Sequence, residues 1–134
     1  MAMKKSKVRI MNSRDAKFLD EALQLARAGG RVGGARLGAV LVISNRVVSM
    51  GQNIYKSHPL QKRFARRPDA IFQHAEINCL VNFLRSNDQS ELTKATLYVG
   101  RVFGEEMEFV GEAKPCPGCS KAIHHYGIKK VVHT

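Results

Sequence analysis

The segment Gly38-Ala39-Val40-Leu41-Val42-Ile43 is the tightest constraint on how this chain can fold. A run with no polar residue, rich in β-branched side chains, reads as a strand covered on both faces. Helices must therefore lie above and below it. Asn45-Arg46 is expected to turn the chain, and Val47-Val48-Ser49-Met50 to return as a second strand closed by Gly51-Gln52-Asn53. Upstream, Phe18, Leu19, Ala22, Leu23 and Ala26 recur at helical spacing and predict a helix over 14–28. Ser13 is placed to cap it, Asp15 lies in its first turn, and Gly29-Gly30 ends it. Downstream, the pattern predicts a helix from about Ile71 to Arg85 and a strand at Thr96–Val99. A hairpin over Phe103–Val110 follows, then a helix opened by Cys116-Pro117-Gly118-Cys119 and ended by Gly127, then a strand over Ile128–His133. Strands alternating with helices imply an α/β sandwich around one central sheet.

A chain of 134 residues suits a single domain. It divides into a basic N-terminal arm over 1–12 and a folded domain over 13–134. No apolar run approaches the length that spans a bilayer, so no membrane partner is expected. The charged start has no apolar stretch behind it, which excludes a secretory signal and makes the cytoplasm the default. Lys and Arg number 22 against 11 Asp and Glu. The whole excess of +11 lies in residues 1–87, while 88–134 is balanced. That asymmetry favours an anionic substrate or a nucleic acid partner and says nothing of fold. The long stretch before residue 71 carries Lys56, His58, Lys62, Arg63, Arg66 and Arg67 and is expected to be a functional loop.

Chemistry concentrates in His74-Ala75-Glu76 and Pro115-Cys116-Pro117-Gly118-Cys119. Three cysteines without an export signal argue for metal binding rather than a disulfide framework. Cys79 falls in a helical apolar stripe and reads as core. That leaves His74, Cys116 and Cys119, three ligands of the kind zinc takes, with one position open, which is the catalytic count. Both motifs are expected in the first turn of a helix, where unpaired N–H groups and the positive dipole end favour thiolates. Residues two apart on a helix face different ways, so with His74 as a ligand Glu76 is placed to move protons at a water activated by zinc. A thioredoxin-type reading of Cys-Pro-Gly-Cys leaves His-Ala-Glu without a role.

Together the two motifs match the H-x-E…P-C-x-x-C signature of zinc deaminases. The chain resembles the cytidine deaminase-like superfamily, in the branch whose first ligand is histidine, from about Asp15 to its C-terminus. Pro-Cys-Pro-Gly-Cys-Ser-Lys-Ala-Ile and Gly-Ile-Lys-Lys-Val-Val resemble phage and bacterial deoxycytidylate deaminases. The resemblance implies a three-layer α/β/α sandwich with a central mixed sheet, C-terminally short because the chain stops after the strand at 128–133. It implies zinc on His74, Cys116 and Cys119, Glu76 as proton shuttle, Asn53 as substrate-binding amide and Ala39 as a pocket-lining residue. Assembly as a homo-oligomer is expected. The stretch between the strand at 96–99 and Pro115 is longer than the usual loop.

The implied reaction is hydrolytic deamination of cytosine, with deoxycytidine monophosphate (dCMP) as the first expectation. A polynucleotide deaminase acting on single-stranded DNA or tRNA is the alternative, carried by Lys62, Arg63, Arg66 and Arg67. A catalytically silent zinc protein that binds nucleic acid would be expected to lose Glu76, which is present. Arg101 is a candidate for a phosphate contact. Tyr55, Phe72 and Phe103 flank the expected pocket, and core packing is the better reading for Phe72. His58, His124, His125 and His133 are expected in surface or structural roles, and Glu105, Glu106, Glu108 and Glu112 on a solvated hairpin.

Overall fold

The apolar run at 38–43 lies in strand β1 (Arg36–Ile43), at the middle of a five-stranded sheet in a computed structural model that describes residues 11–29, 34–64 and 73–134. Strand β2 (Arg46–Gln52) pairs antiparallel with one edge of β1, and β3 (Thr96–Phe103) antiparallel with the other. The outer edge of β3 is shared. Its C-terminal part takes β4 (Phe109–Gly111) antiparallel, and its N-terminal part takes β5 (Lys130–His133) parallel. Thr134 joins them, accepting from Ala113 N–H at 2.7 Å and donating from its backbone to the Val99 carbonyl at 3.1 Å. The sheet is mixed, as expected.

Alternation along β1 explains why both faces are apolar. Val40 and Val42 pack with Tyr98 against Phe18, Leu19 and Ala22 of helix α1 (Ser13–Ala28). Ala39 and Leu41 pack with Leu97 and Val99 against helix α3 (Ala75–Leu84) and helix α4 (Pro117–His125). Two glycines set the closeness of the layers. A side chain at Gly38 would strike the Ala22 carbonyl, and one at Gly51 would strike the Cys79 amide. Helices thus lie on both sides of the sheet, and no helix among the described residues is long and apolar enough to cross a membrane.

Several boundaries differ from expectation, each for a local reason. Asn12, not Ser13, caps α1, its side chain accepting from Asp15 N–H at 2.7 Å. The β1–β2 turn is Ser44-Asn45, both with positive φ, which matches the right-handed twist of a two-residue hairpin. The stretch expected as a loop contains a short helix, α2 (Pro59–Phe64), too short to show a hydrophobic period. Strand β3 runs on through Gly100 to Phe103 because it is paired on both edges there. The second expected helix starts at Ala75, because Gln73 is held extended in a bridge to Ile54. A 3₁₀ turn over Gln89–Lys94 had no sequence signal. Ile71, Phe72, Arg66, Arg67 and the arm through residue 10 lie outside the described residues.

Asp15 ties three elements together. Its buried carboxylate accepts from Tyr98 Oη on β3 at 2.6 Å and from Lys130 Nζ on β5 at 3.0 Å. Burial alone would raise its pKa. The bonds from Tyr98 and Lys130 and the Lys130 charge outweigh that and hold it below the ordinary value. A lowered carboxylate pKa contributes stability that is present at neutral pH and lost as pH falls through the acid range. Asp15→Ala is expected to lower unfolding free energy by about 1.5–3 kcal/mol at neutral pH, the range for bonds to a charged group. Urea denaturation of both proteins should show the gap narrowing below about pH 4.

Candidate metal centre

Helices α3 and α4 begin at the same place on the β1–β3 face of the sheet. Each is preceded by an extended residue that bears a metal-binding side chain: His74 at φ −72°, ψ 156° before α3, and Cys116 at φ −67°, ψ 166° before α4. Pro117, at the start of α4, has no amide proton to leave unpaired. Cys119 lies in the first turn, and its N–H donates to Cys116 Sγ at 3.4 Å. The cysteine at the cap therefore accepts the bond that serine or aspartate usually accepts.

These three residues form a tight cluster, with donor atoms all within 4.8 Å of one another. His74 Nδ1 lies 3.3 Å from Cys119 Sγ and 3.5 Å from Cys116 Sγ. Tetrahedral zinc with Zn–N near 2.0 Å and Zn–S near 2.3 Å would separate nitrogen from sulfur by about 3.5 Å. The cluster therefore fits zinc in spacing as well as in ligand type. Its electrostatics agree. Cys116 is held down at about 3, first by the hydrogen bond from the Cys119 thiol and then by His74. The bond to Cys116 raises the His74 pKa, and the Cys119 thiol is raised because it supplies the proton to Cys116.

Glu76 stands one residue into α3 and is 3% exposed. Burial pushes its carboxyl pKa up, beyond what the His74 charge offsets. Its Oε1 is buried without a hydrogen-bond partner among the described residues. A buried carboxylate oxygen left unpaired is costly unless a further group meets it. His74 belongs to the extended segment and Glu76 to the helix, and Glu76 meets the cluster at Cys119. The expectation that both would sit within a helical turn is corrected in that detail.

The other sequence candidates are dispersed around this cluster. Ala39 is fully buried in the same cluster as Ala75 and Cys119. Asn53, also buried, accepts from Leu37 N–H at 2.8 Å and donates to the Ala35 carbonyl at 3.3 Å, holding the start of β1. Lys62 and Arg63 are exposed on α2, which packs against α3 and α4, with Phe64 meeting the His125 ring at 5.5 Å. Arg101 is half-buried on β3, its guanidinium 5.4 Å from the Phe103 ring centre. Cys79 is core, its thiol pushed up to about 12 by burial. Among the described residues the metal cluster recruits none of the other histidines. His58, for example, accepts from Leu60 N–H at 3.0 Å.

Sequence reasoning missed a set of side-chain amides behind His74, of which Gln61 and Gln73 are buried and Asn78 half-buried. Gln61, 2% exposed on α2, accepts from His74 N–H at 2.9 Å. Gln73 donates to the Lys56 carbonyl at 2.9 Å, and Asn78 accepts from Gln52 N–H at 3.0 Å. Glutamine amid lysine and arginine reads as surface, and no spacing in the sequence marks it otherwise.

Residues 12–134 match the family model described as the cytidine and deoxycytidylate deaminase zinc-binding region. Among solved structures, the fold is similar to that of dCMP deaminase from the cyanophage S-TIM5 in apo form. The TM-score is 0.63 at 23% identity, covering 92% of this chain and 84% of that one. Guanine deaminase from Bacillus subtilis is similar at a TM-score of 0.52 and 21% identity, over 92% of this chain and 64% of that one. RibD from Acinetobacter baumannii matches at 0.55 and 20% identity, over 90% of this chain but only 28% of its own. At these identities the likeness is one of fold, whereas the family match spans the domain and both motifs. With three zinc-type ligands and a buried glutamate at two converging helix starts, the chain belongs to the cytidine and deoxycytidylate deaminase family of zinc-dependent hydrolases.

Proposed function

We propose that the protein converts dCMP to deoxyuridine monophosphate and ammonia. The observation that carries the hydrolytic step is Glu76 Oε1, buried and unpartnered beside the His74, Cys116 and Cys119 cluster. Zinc held by those three residues supplies the Lewis acidity that makes a water nucleophilic near neutral pH. Glu76 would take both protons of the attacking water in turn, the first as its oxygen bonds to C4 of cytosine and the second from the resulting C4 hydroxyl as the C4–N bond breaks. The same carboxyl delivers protons to ring N3 and to the departing amine. Burial raises its pKa, which strengthens it as the base that takes those protons. Ala39, with no bulk beyond Cβ, leaves room for a flat base over the sheet, and Asn53 orients the sugar from the end of β2. For the mononucleotide, support comes from the Cys116–Val132 resemblance and from similarity to the S-TIM5 enzyme in complex with dCMP and dUMP. That match has a TM-score of 0.59 and 22% identity, over 92% of this chain and 82% of that one.

Exposed Lys62 and Arg63 on α2, beside both motif helices, favour a second reading, a single-stranded polynucleotide substrate. Arg66 and Arg67, which lie outside the described residues, and half-buried Arg101 on β3 are the further candidates for phosphate contacts. Salt separates the two. Four phosphate contacts by Lys62, Arg63, Arg66 and Arg67 give a log–log slope of about −2.8, so polynucleotide affinity would fall about 50-fold between ~50 and ~200 mM salt. A mononucleotide KM should change only a few-fold through ordinary screening. Turnover of dCMP with weak salt dependence is the expected result. Absence of that turnover beside steeply salt-sensitive deamination of an oligonucleotide would transfer the proposal to the strand.

Two sets of variants test the chemistry. Elemental analysis should find one zinc per chain in the parent, and Cys116→Ala and Cys119→Ala should each lose that zinc together with activity. Glu76→Gln should keep its zinc while turnover falls by at least ~10²-fold, the lower range for a lost acid–base group. Loss of zinc from Glu76→Gln would make Glu76 a ligand instead.

A further inference from the structure

The chain between β2 and α3 is fastened to the first metal ligand at several points. Ile54 and Gln73 exchange backbone bonds at 3.0 and 2.9 Å. Gln73 Nε2 reaches back to the Lys56 carbonyl at 2.9 Å. Gln61 Oε1 accepts from the amide of His74 itself, at 2.9 Å. Gln61 is the one buried residue of α2, at 2% exposure, in a helix whose Lys62 and Arg63 face solvent.

The His74 amide has a particular need for this bond. An N-cap residue lies outside its helix's bonding pattern, so its N–H finds no acceptor there. The His74 side chain makes no cap bond, because its ring is turned to the two sulfurs. The 73–74 peptide, whose orientation bears on where Nδ1 points, is held at its carbonyl by Ile54 N–H at 3.0 Å, which leaves its amide end to be fixed from elsewhere. Gln61 supplies that restraint from a separate helix.

We propose that Gln61 is a positioning residue for the metal centre: by holding the His74 amide, it sets the approach of Nδ1 to the metal. Partners of this kind orient ligands, and their loss typically reduces metal affinity or activity by about 10–100-fold. The inference rests on the metal centre and not on which nucleotide is deaminated. Its test therefore reads the metal directly.

Gln61→Met keeps the length and removes the acceptor, whereas Gln61→Glu keeps the length and retains an acceptor oxygen. Gln61→Asn folds most conservatively and withdraws the acceptor by one methylene. Zinc transfer to a chromogenic chelator would be timed for each folded variant, and visible absorption recorded after cobalt replacement. Met and Asn are expected to release zinc about 10–100-fold faster and to shift the cobalt–thiolate bands, with Glu close to the parent. On a deaminated substrate, Met and Asn should lower kcat with little change in KM. Parental zinc release and cobalt spectra in either folded Met or Asn variant would overturn the proposal. Failure of Glu to restore them where Met loses them would do the same. If Met does not fold, Asn alone decides. An active parent with a different substrate would unseat the dCMP reading and leave this result standing.

Discussion

Two helix starts aimed at one point make the site, and the rest of the fold serves to aim them. The first turn of a helix presents unpaired N–H groups and a partial positive charge. One such end favours a thiolate. Two ends, with His74 and Cys116 at the caps, bring donors to within 3.3–3.5 Å of each other, a spacing that wants a cation among them. The sheet fixes the angle of approach. Gly51 lets α3 lie directly on β2, and Ala39, Leu41, Leu97 and Val99 form the floor on which α3 and α4 meet. A larger residue at any of these positions would move a helix start, and with it a ligand.

The ligands and the fold class were legible in the sequence for the same reason. Zinc chemistry restricts residue types and spacing severely, and a strand buried on both faces restricts composition severely. The His-Ala-Glu and Cys-Pro-Gly-Cys motifs and the 38–43 run each leave few alternatives; the structure brings His74, Cys116 and Cys119 together and puts the 38–43 run in a central strand. The boundaries were less legible. Nothing local distinguishes Ile71-Phe72-Gln73 from the start of a helix. A bridge to Ile54, distant in sequence, holds Gln73 extended. The length of β3 beyond Val99 likewise comes from partners on both edges, which override the weak strand preference of Gly100.

Gln61 and Asn53 were opaque in opposite ways. Asn53 was visible as a polar residue at a strand end, but its bonds to the backbone of Ala35 and Leu37 were not. Those bonds organise the start of β1, so its removal would disturb that strand. Gln61 was hidden because its neighbours are cationic. A sequence shows that a segment is basic, and not which one of its residues turns inward.

That concealment has a consequence for reading charge. The +11 excess led to the segment before His74 as a binding surface for phosphate. The structure gives the same segment a structural duty, because Ile54, Lys56 and Gln61 all bond to Gln73 or His74. Charge and ligand positioning thus share one short helix. Removing Lys62 or Arg63 alters the field at its surface and leaves the Gln61 bond intact. Removing the helix would alter both at once. A loss of activity on deleting this segment would therefore say little about phosphate binding, whereas single substitutions on its exposed face separate the field from the scaffold.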